Sequence, residues 1–179
     1  GKPKAALGTH GNMTSNIGAG GISAARNFLR AGEPLPEMDP LKTPQRVSLL
    51  VVPMFHATGL SATLGPTMNA GGKIVLMRRW DAEPAMKLIQ DEKVSSTGGV
   101  PTIAWQLIEH PARANYDLSS LLSVAYGGAP SAPELVRKIV EVFPGSQPGN
   151  GWGMTETTAT FTSHMGPDYS NRPDSAGPA

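Results

Sequence analysis

Short apolar runs alternate with amphipathic segments of helical period from residue 47 onwards, and this alternation constrains the possible fold more than any other feature of the chain. Runs with the length and composition of strands lie at 47–52, 73–77, 94–97 and 122–125, and a short extended segment is predicted at 146–150. The run at 47–52 is apolar on both faces, as in a strand that helices cover on both sides. The pattern predicts an α/β fold, with a mostly parallel β-sheet flanked by helices.

Helices are predicted between these strands. Asp81 is placed to cap a helix with apolar positions at Ala82, Met86 and Ile89. Pro101 suits the first turn of another helix, which Pro111 closes. The sequence Ser131-Ala132-Pro133-Glu134 has the pattern of a capping box, and it opens a third helix with four inward positions: Leu135, Val136, Ile139 and Val140.

The two flanks of the chain have a different character. Residues 11–32 predict a helix that ends at Gly32, and the proline-rich residues 33–44 predict a loop. We expect three parts: an N-terminal helix and connector at 1–44, an α/β subdomain at 45–160, and an irregular tail at 161–179. Because the chain opens on Gly1 without a methionine, we expect it to be a piece cut from a longer protein.

Composition excludes several functional classes. The 15 Lys and Arg and 14 Asp and Glu residues are scattered and leave a formal charge of +1, so no basic stripe indicates nucleic-acid binding. The absence of cysteine excludes disulfides, thiolate metal sites and a cysteine nucleophile. Four widely separated histidines argue against a zinc site. No run approaches 18 apolar residues, so no membrane span is predicted, and we expect a cytoplasmic protein.

Three unusual loops each follow a predicted strand. They are Pro53-Met54-Phe55-His56, Tyr126-Gly127-Gly128-Ala129-Pro130 and Gly151-Trp152-Gly153-Met154-Thr155-Glu156. In an open parallel sheet, ligands bind outside the carboxyl ends of the strands. We therefore expect all three loops to face one edge of the sheet and to share one site.

The third loop has residues suited to a nucleotide. The glycines at 151 and 153 allow a ligand to approach the backbone, and Trp152 offers a flat face to a base. Thr155 offers a hydroxyl to a phosphate oxygen, and Glu156 offers a hard oxygen ligand to Mg²⁺. Composition alone leaves open that Trp152 is a packing residue and that Thr155 and Glu156 begin a helix.

These pieces, in this order, resemble the adenylate-forming (AMP-binding) superfamily, and most closely its acyl-CoA synthetases, the fatty-acid–CoA ligases. The matching segments are Gly1-Lys2-Pro3-Lys4, Thr9-His10-Gly11-Asn12, Pro53-Met54-Phe55-His56 with Thr58-Gly59, Val100-Pro101-Thr102, Gly127-Gly128-Ala129-Pro130, Gly151-Trp152-Gly153-Met154-Thr155-Glu156 and Ser175-Ala176-Gly177. The first of these looks like the end of the phosphate loop of that family. The match runs the length of the chain, which therefore looks like a central fragment of the large N-terminal domain.

The resemblance implies ATP-dependent activation of a carboxylic acid, most readily a fatty acid, to an acyl-adenylate, followed by transfer of the acyl group to coenzyme A. The implied cofactors are ATP, Mg²⁺ and coenzyme A as co-substrate. It also implies residue roles: Lys4 as phosphate-loop lysine, His56 at the acyl-pocket entrance, Gly127, Gly128 and Ala129 beside adenine and the acyl pocket, Asn150, Gly151 and Trp152 around adenine, Thr155 on the α-phosphate, and Glu156 on Mg²⁺.

Some parts that the resemblance requires are missing from these 179 residues. They are the upstream glycine-rich part of the phosphate loop, a ribose-binding aspartate, a following arginine, and a C-terminal domain with a catalytic lysine. We therefore expect the fragment alone to be inactive, and the full-length enzyme to be cytoplasmic or peripheral at a membrane. An adenylation or luciferase-like member of the superfamily and a non-catalytic nucleotide-binding or interaction module remain as alternatives.

Overall fold

Among the residues that the structure describes, six strands form one sheet with helices on both of its faces. The computed structural model describes residues 2–30, 32–35 and 43–178. The strands are β1 (Val47–Leu50), β2 (Lys73–Leu76), β3 (Ser96–Gly99), β4 (Ser123–Gly127), β5 (Gln147–Met154) and β6 (Ala159–Met165). The helices are α1 (His10–Arg30), α2 (Gly65–Asn69), α3 (Ala82–Glu92), α4 (Pro101–Glu109), α5 (Pro133–Val142) and α6 (Gly166–Asn171).

Three shorter helical elements complete the structure. A π-helical segment, Thr58–Leu64, leads directly into α2, and single 3₁₀ turns lie at Arg113–Asn115 and Thr155–Thr157. Most of the predicted loop at 33–44 lies outside the described residues. No helix in the described part of the chain is both long and apolar enough to cross a membrane.

The sheet confirms the predicted fold class. Its strand order is β2-β1-β3-β4-β5-β6, and every neighbouring pair from β2 to β5 is parallel. Only β6 is antiparallel, where it pairs with β5. Because β1 to β5 run parallel to one another, their carboxyl ends all lie at one edge of the sheet.

The main core lies between the sheet and helices α3, α4 and α5. Its fully buried side chains include Leu49, Met86, Ile89, Leu107, Val124, Leu135 and Ile139. Successive residues of a strand face opposite sides, and Ser48, next to Leu49, accepts a hydrogen bond from Thr67 of α2 at 3.2 Å. Helix α2 therefore covers the face of the sheet opposite α3 to α5.

Helix α5 forms as predicted, but its first turn differs from the prediction. The N-cap is Ala132 and no side chain caps the helix, so the expected capping box at Ser131 is wrong. Pro133 occupies the first helical position, where it fixes the backbone and leaves no N–H to cap, so the helix begins two residues after Ser131. Val140, expected to face inward, is 49% exposed.

The C-terminal residues are more regular than the predicted irregular tail. Strand β6 runs to Met165 and α6 follows at once. The buried residues of β6 are Ala159 and His164, and the His164 ring centroid lies 5.3 Å from that of the fully buried Tyr169. Four of its seven residues are threonine, serine or histidine, so the strand carries only a weak apolar periodicity, which is why sequence patterning did not indicate it.

Candidate active site

The carboxyl edge of the parallel strands brings together the three loops that the sequence singles out. The segment 53–57 follows β1, the segment 128–130 follows β4, and β5 ends at Met154. In the strand register, Gly127 lies beside Gly151. The prediction that these loops share one edge is confirmed, although the structure extends β4 and β5 into the segments predicted as loops.

Strand β5 projects beyond its parallel neighbour. After Gly151 it pairs only with β6, and Trp152 lies opposite Thr162 in this hairpin. The Trp152 indole is 49% exposed and meets the ring of Phe161 edge-on at a centroid distance of 5.8 Å. The Trp152 ring is therefore partly open to solvent, one residue beyond the last β5 residue that pairs with β4.

Gly153 has a structural reason for being a glycine. A Cβ atom at this position would lie 1.6 Å from the Ala159 carbonyl oxygen, next to an irregularity in the β5–β6 register. The close approach of the two strands therefore requires glycine here. The expected role of Gly153, to let a ligand approach the backbone, is not needed to explain this glycine, because strand β6 already occupies the space of a side chain.

A single 3₁₀ turn, Thr155–Thr157, connects β5 to β6 and presents the candidate phosphate and metal groups. Thr155 and Glu156 are exposed. Among the described residues Glu156 has neither an ion pair nor a hydrogen bond to its carboxylate. A carboxylate of this kind suits Mg²⁺, which in proteins takes one or two carboxylates together with substrate phosphate oxygens and water.

The turn is held by a side chain that sequence analysis did not identify. The Thr157 hydroxyl accepts a hydrogen bond from the Met154 backbone N–H at 3.1 Å. Its own hydrogen reaches the carbonyl oxygens of Met154 and Ala159, each at 3.0 Å. Met154 and Ala159 lie within three residues of Thr157, so these contacts are local; the signal that could have found Thr157 is its place three residues after Met154, the N3 position of a capping box.

His56 is exposed on the loop after β1, and its orientation is set by local hydrogen bonds. The His56 backbone N–H donates to the Pro53 carbonyl at 3.0 Å. The ring Nδ1 accepts from the Thr58 N–H at 3.1 Å. In the neutral imidazole Nδ1 is then the acceptor and Nε2 carries the proton, so Nε2–H is the group available to a ligand.

His56 and Thr155 line the same cavity of about 210 Å³. The rest of its lining comes from the chain before α1, from α1 itself, and from the two segments that carry those residues: Ala6, Gly8, Met13, Phe55, Ala57, Leu60, Ser61 and Thr158. The cavity combines apolar walls with hydroxyl groups and an imidazole, so it offers a ligand both apolar contacts and hydrogen-bonding groups.

The other predicted site residues lie around this cavity or along the same edge. Lys4 is exposed two residues before Ala6, and it does not line the cavity. Gly128 and Ala129 are exposed at the end of β4. Asn150 is partly buried within β5, between Tyr126 and His164 in register. The structure thus brings His56 and Thr155 together and leaves Lys4 and the Gly128 segment at the periphery.

A second cavity, of about 480 Å³, lies where α1, β6 and α6 meet. It is lined by the ion pair of Arg30 with Asp168 together with His164 and Arg172. Beside it, the hydroxyl groups of Tyr126 and Tyr169 are 3.0 Å apart. Burial, reinforced by that hydrogen bond, raises the pKa of Tyr169 well above its usual range. These contacts join β4 to α6 through the two tyrosines, and α6 to β6 through His164.

A sheet of this order, with helices on both faces and polar loops gathered at the carboxyl edge, defines an open α/β domain, a class in which ligands bind outside the carboxyl ends of the strands. The chain belongs to the AMP-binding enzyme family, whose model matches residues 1–179. The resemblance found in the sequence motifs is therefore confirmed.

Relatives and solved structures agree with this assignment. The chain is 30% identical, over 99% of its length and 32% of the relative, to 4-coumarate–CoA ligase-like 5 of Oryza sativa subsp. japonica. It is 33% identical, over 87% of its length and 28% of the relative, to feruloyl-CoA synthase of Amycolatopsis sp.. It superimposes with a TM-score of 0.73 and 26% identity on o-succinylbenzoate coenzyme A synthetase from Bacillus subtilis in complex with ATP and magnesium ion, covering 99% of this chain and 33% of that one. The chain thus spans about a third of the length of these proteins.

Proposed function

We propose that the full-length protein containing this chain is an AMP-forming acid–CoA ligase. A carboxylate oxygen of the acid attacks the α-phosphorus of ATP, the α–β phosphoanhydride bond breaks, and pyrophosphate leaves. The thiol of coenzyme A then attacks the acyl carbon, so that a thioester forms and AMP leaves with the electron pair of the broken bond. The observation that carries the proposal is the shared cavity of His56 and Thr155 in a chain of the AMP-binding enzyme family.

The residues present fit a complex of ATP with Mg²⁺. Glu156 offers an exposed carboxylate without a competing ion pair among the described residues, and Thr155 offers a hydroxyl beside it. In this proposal Thr155 binds the α-phosphate, Glu156 binds Mg²⁺ and Lys4 binds the outer phosphates. Positioned donors and the metal stabilise charge that develops on phosphate, and no covalent enzyme nucleophile is required.

The remaining residues hold the base and the acid. In this proposal Asn150, Gly151 and Trp152 lie around adenine, and the Trp152 ring stacks on the base. The segment Gly127, Gly128 and Ala129 borders adenine and the acid, and His56 lies at the entrance of the acid pocket. The partly exposed indole of Trp152 and the free Nε2–H of His56 support these assignments.

We propose a hydrophobic carboxylic acid as substrate, and two acid classes compete. The sequence motifs favour a fatty acid, whereas two relatives are named for arylpropenoic acids, 4-coumarate and ferulate. The mixed apolar and hydroxyl lining of the cavity that His56 and Thr155 share suits an acid with a polar substituent, so the aryl acids are the first to test. An adenylation or luciferase-like reaction would share the adenylation step and differ in the second one.

We further propose that the 179 residues alone lack ligase activity, because they span only about a third of the relatives' length. The full-length enzyme is proposed to be cytoplasmic or peripheral at a membrane.

The test is pyrophosphate exchange into ATP by the full-length protein, with 4-coumarate, ferulate and saturated acids of increasing chain length. We expect exchange that depends on the acid, and Glu156→Gln and Lys4→Ala should reduce it at least tenfold. CoA-dependent thioester formation distinguishes a CoA ligase from an adenylation or luciferase-like enzyme. Exchange that is absent with every acid would refute the proposed function.

A further inference from the structure

We propose that Thr157 is a positioning residue for the reaction, acting through the turn that presents Thr155 and Glu156. The inference rests on the proposed function, because it assigns to Thr157 the task of orienting the two groups that meet ATP and Mg²⁺. Thr157 itself makes no contact with substrate in this proposal.

The Thr157 hydroxyl both donates and accepts hydrogen bonds within the hairpin. It accepts a hydrogen bond from the backbone N–H of Met154, which is the last residue of β5, and donates toward the carbonyls of Met154 and Ala159. A hydroxyl has one hydrogen, so it donates to one of these carbonyls at a time while it accepts from the amide. One side chain therefore connects the end of β5 to the start of β6 across the turn.

The turn needs such a tether because its backbone is in an uncommon conformation. Thr158 and Ala159 have φ angles of 57° and 92°, which residues with side chains adopt at a cost. Apart from the bonds of Thr157, the hydrogen bond that the structure gives within the turn runs from the Thr158 N–H to the Thr155 carbonyl at 3.1 Å. Loss of the Thr157 hydroxyl thus removes the side-chain hydrogen bonds that hold the turn, and leaves the Thr158 bond and the pairing of Met154 with Ala159.

The rest of the hairpin does not depend on Thr157. Trp152 and Phe161 pack against each other below the turn, and Gly153 lies directly against the Ala159 carbonyl. We therefore expect removal of the hydroxyl to loosen the turn while the sheet stays folded. A loosened turn misplaces groups that must meet the α-phosphate and the metal, and small misplacements in an active site are costly.

The test compares Thr157→Val, which keeps the shape and removes the hydroxyl, with Thr157→Ser, which keeps the hydroxyl. Thr162→Val is the matched control. Thr162 lies in the same hairpin but away from the turn, and its hydroxyl donates to the Ala176 backbone carbonyl at 2.9 Å. The assay is pyrophosphate exchange by the full-length protein, with kcat and KM for Mg·ATP measured separately. Far-UV circular dichroism checks that each variant is folded.

We expect Thr157→Val to lower kcat by about 10- to 100-fold with a smaller change in KM, since the positioned groups act mainly on the charge that develops during transfer. Thr157→Ser should remain within about threefold of the wild type, and so should Thr162→Val. Equal losses in Thr157→Val and Thr162→Val, or no rescue by serine, would overturn the positioning role.

A second measurement is independent of activity. Exchange of the Met154 amide hydrogen with solvent should accelerate at least tenfold in Thr157→Val and remain unchanged in Thr162→Val. If that amide is unaffected, the hydroxyl does not hold the turn and the inference fails. If the wild type shows no pyrophosphate exchange with any acid, the proposed function fails, and the Met154 amide still reports whether Thr157 restrains the turn.

Discussion

Replacement of Gly59 by alanine should displace the His56 loop, because the backbone of that loop occupies the space of the new side chain. Gly59 is buried in the π-helical segment that follows His56. A Cβ atom there would lie 2.3 Å from the Pro53 carbonyl oxygen and 2.8 Å from that of Val52. Ordinary contact begins near 3.4 Å, and both obstacles are backbone atoms that cannot rotate away.

The required shift is therefore about 1 Å, and it acts on the carbonyl that holds His56. The Pro53 oxygen accepts the hydrogen bond from the His56 backbone N–H, so moving it weakens that bond and reorients the imidazole. Overpacking of this kind costs about 1–3 kcal/mol of stability. A displacement of this size at a substrate-positioning loop reduces pyrophosphate exchange by up to about 100-fold.

Gly65 provides the matched control, six residues further along the same helical stretch. Its Cβ would meet the Ile17 Cδ1 atom at 3.4 Å and the Leu60 carbonyl oxygen at 3.5 Å, which is ordinary contact. Its backbone is helical, and alanine in a helix is favoured over glycine by about 0.5–1 kcal/mol. In the full-length protein, Gly59→Ala should lower both the unfolding temperature and the rate of pyrophosphate exchange, whereas Gly65→Ala should lower neither. Similar behaviour of both variants would refute the steric argument.

Two further predictions concern stability. Tyr169→Phe should lower the free energy of unfolding by about 1–3 kcal/mol, because it leaves the buried Tyr126 hydroxyl without its partner at 3.0 Å. The double variant Tyr126→Phe with Tyr169→Phe should lose less, because neither hydroxyl is left unpaired. Urea unfolding measures both, and a double variant less stable than the single one would contradict this. Hydrogen bonds from Ser119, together with Lys93, lower the pKa of Asp117 to about 2 from 3.8, so this carboxylate stabilises the fold above pH 4 and loses that effect as pH falls toward 2. Asp117→Asn should accordingly lower the unfolding midpoint at pH 7 but not at pH 2, and a difference that does not depend on pH would exclude the ionised carboxylate as its source.

Strands covered on both faces were predictable because their residues must be apolar. Strand β1 and helices α3 and α4 lie where the alternation of apolar runs placed them. Strand β6 follows different physics: it lies at the edge of the sheet, and its outer carbonyls accept hydrogen bonds from side chains of α1, as Thr160 does from Asn16 at 2.8 Å. Such a strand can be polar, so its sequence carries only a weak apolar period.

The meeting of His56 with Thr155 was also predictable, because chain order alone places the loops after parallel strands at one edge. The roles of Gly153 and Thr157 were not. The role of Gly153 depends on a distance across the β5–β6 hairpin that exists only once the register of the two strands is set, whereas the bonds of Thr157 depend on the local conformation of the turn. A glycine in the sequence carries no information about which strand will lie opposite it.

This difference changes which residues support a ligand site. Gly59 and Gly153 look like features of a ligand-binding loop, yet neighbouring backbone atoms already require both glycines. Their presence is explained by the fold and does not by itself indicate a ligand. Glu156 and the Nε2–H of His56 are the opposite case, since the described structure uses neither group to hold the chain together. The proposed function therefore rests on the side chains that the fold leaves without a structural task, and substitutions there should reduce activity without lowering stability.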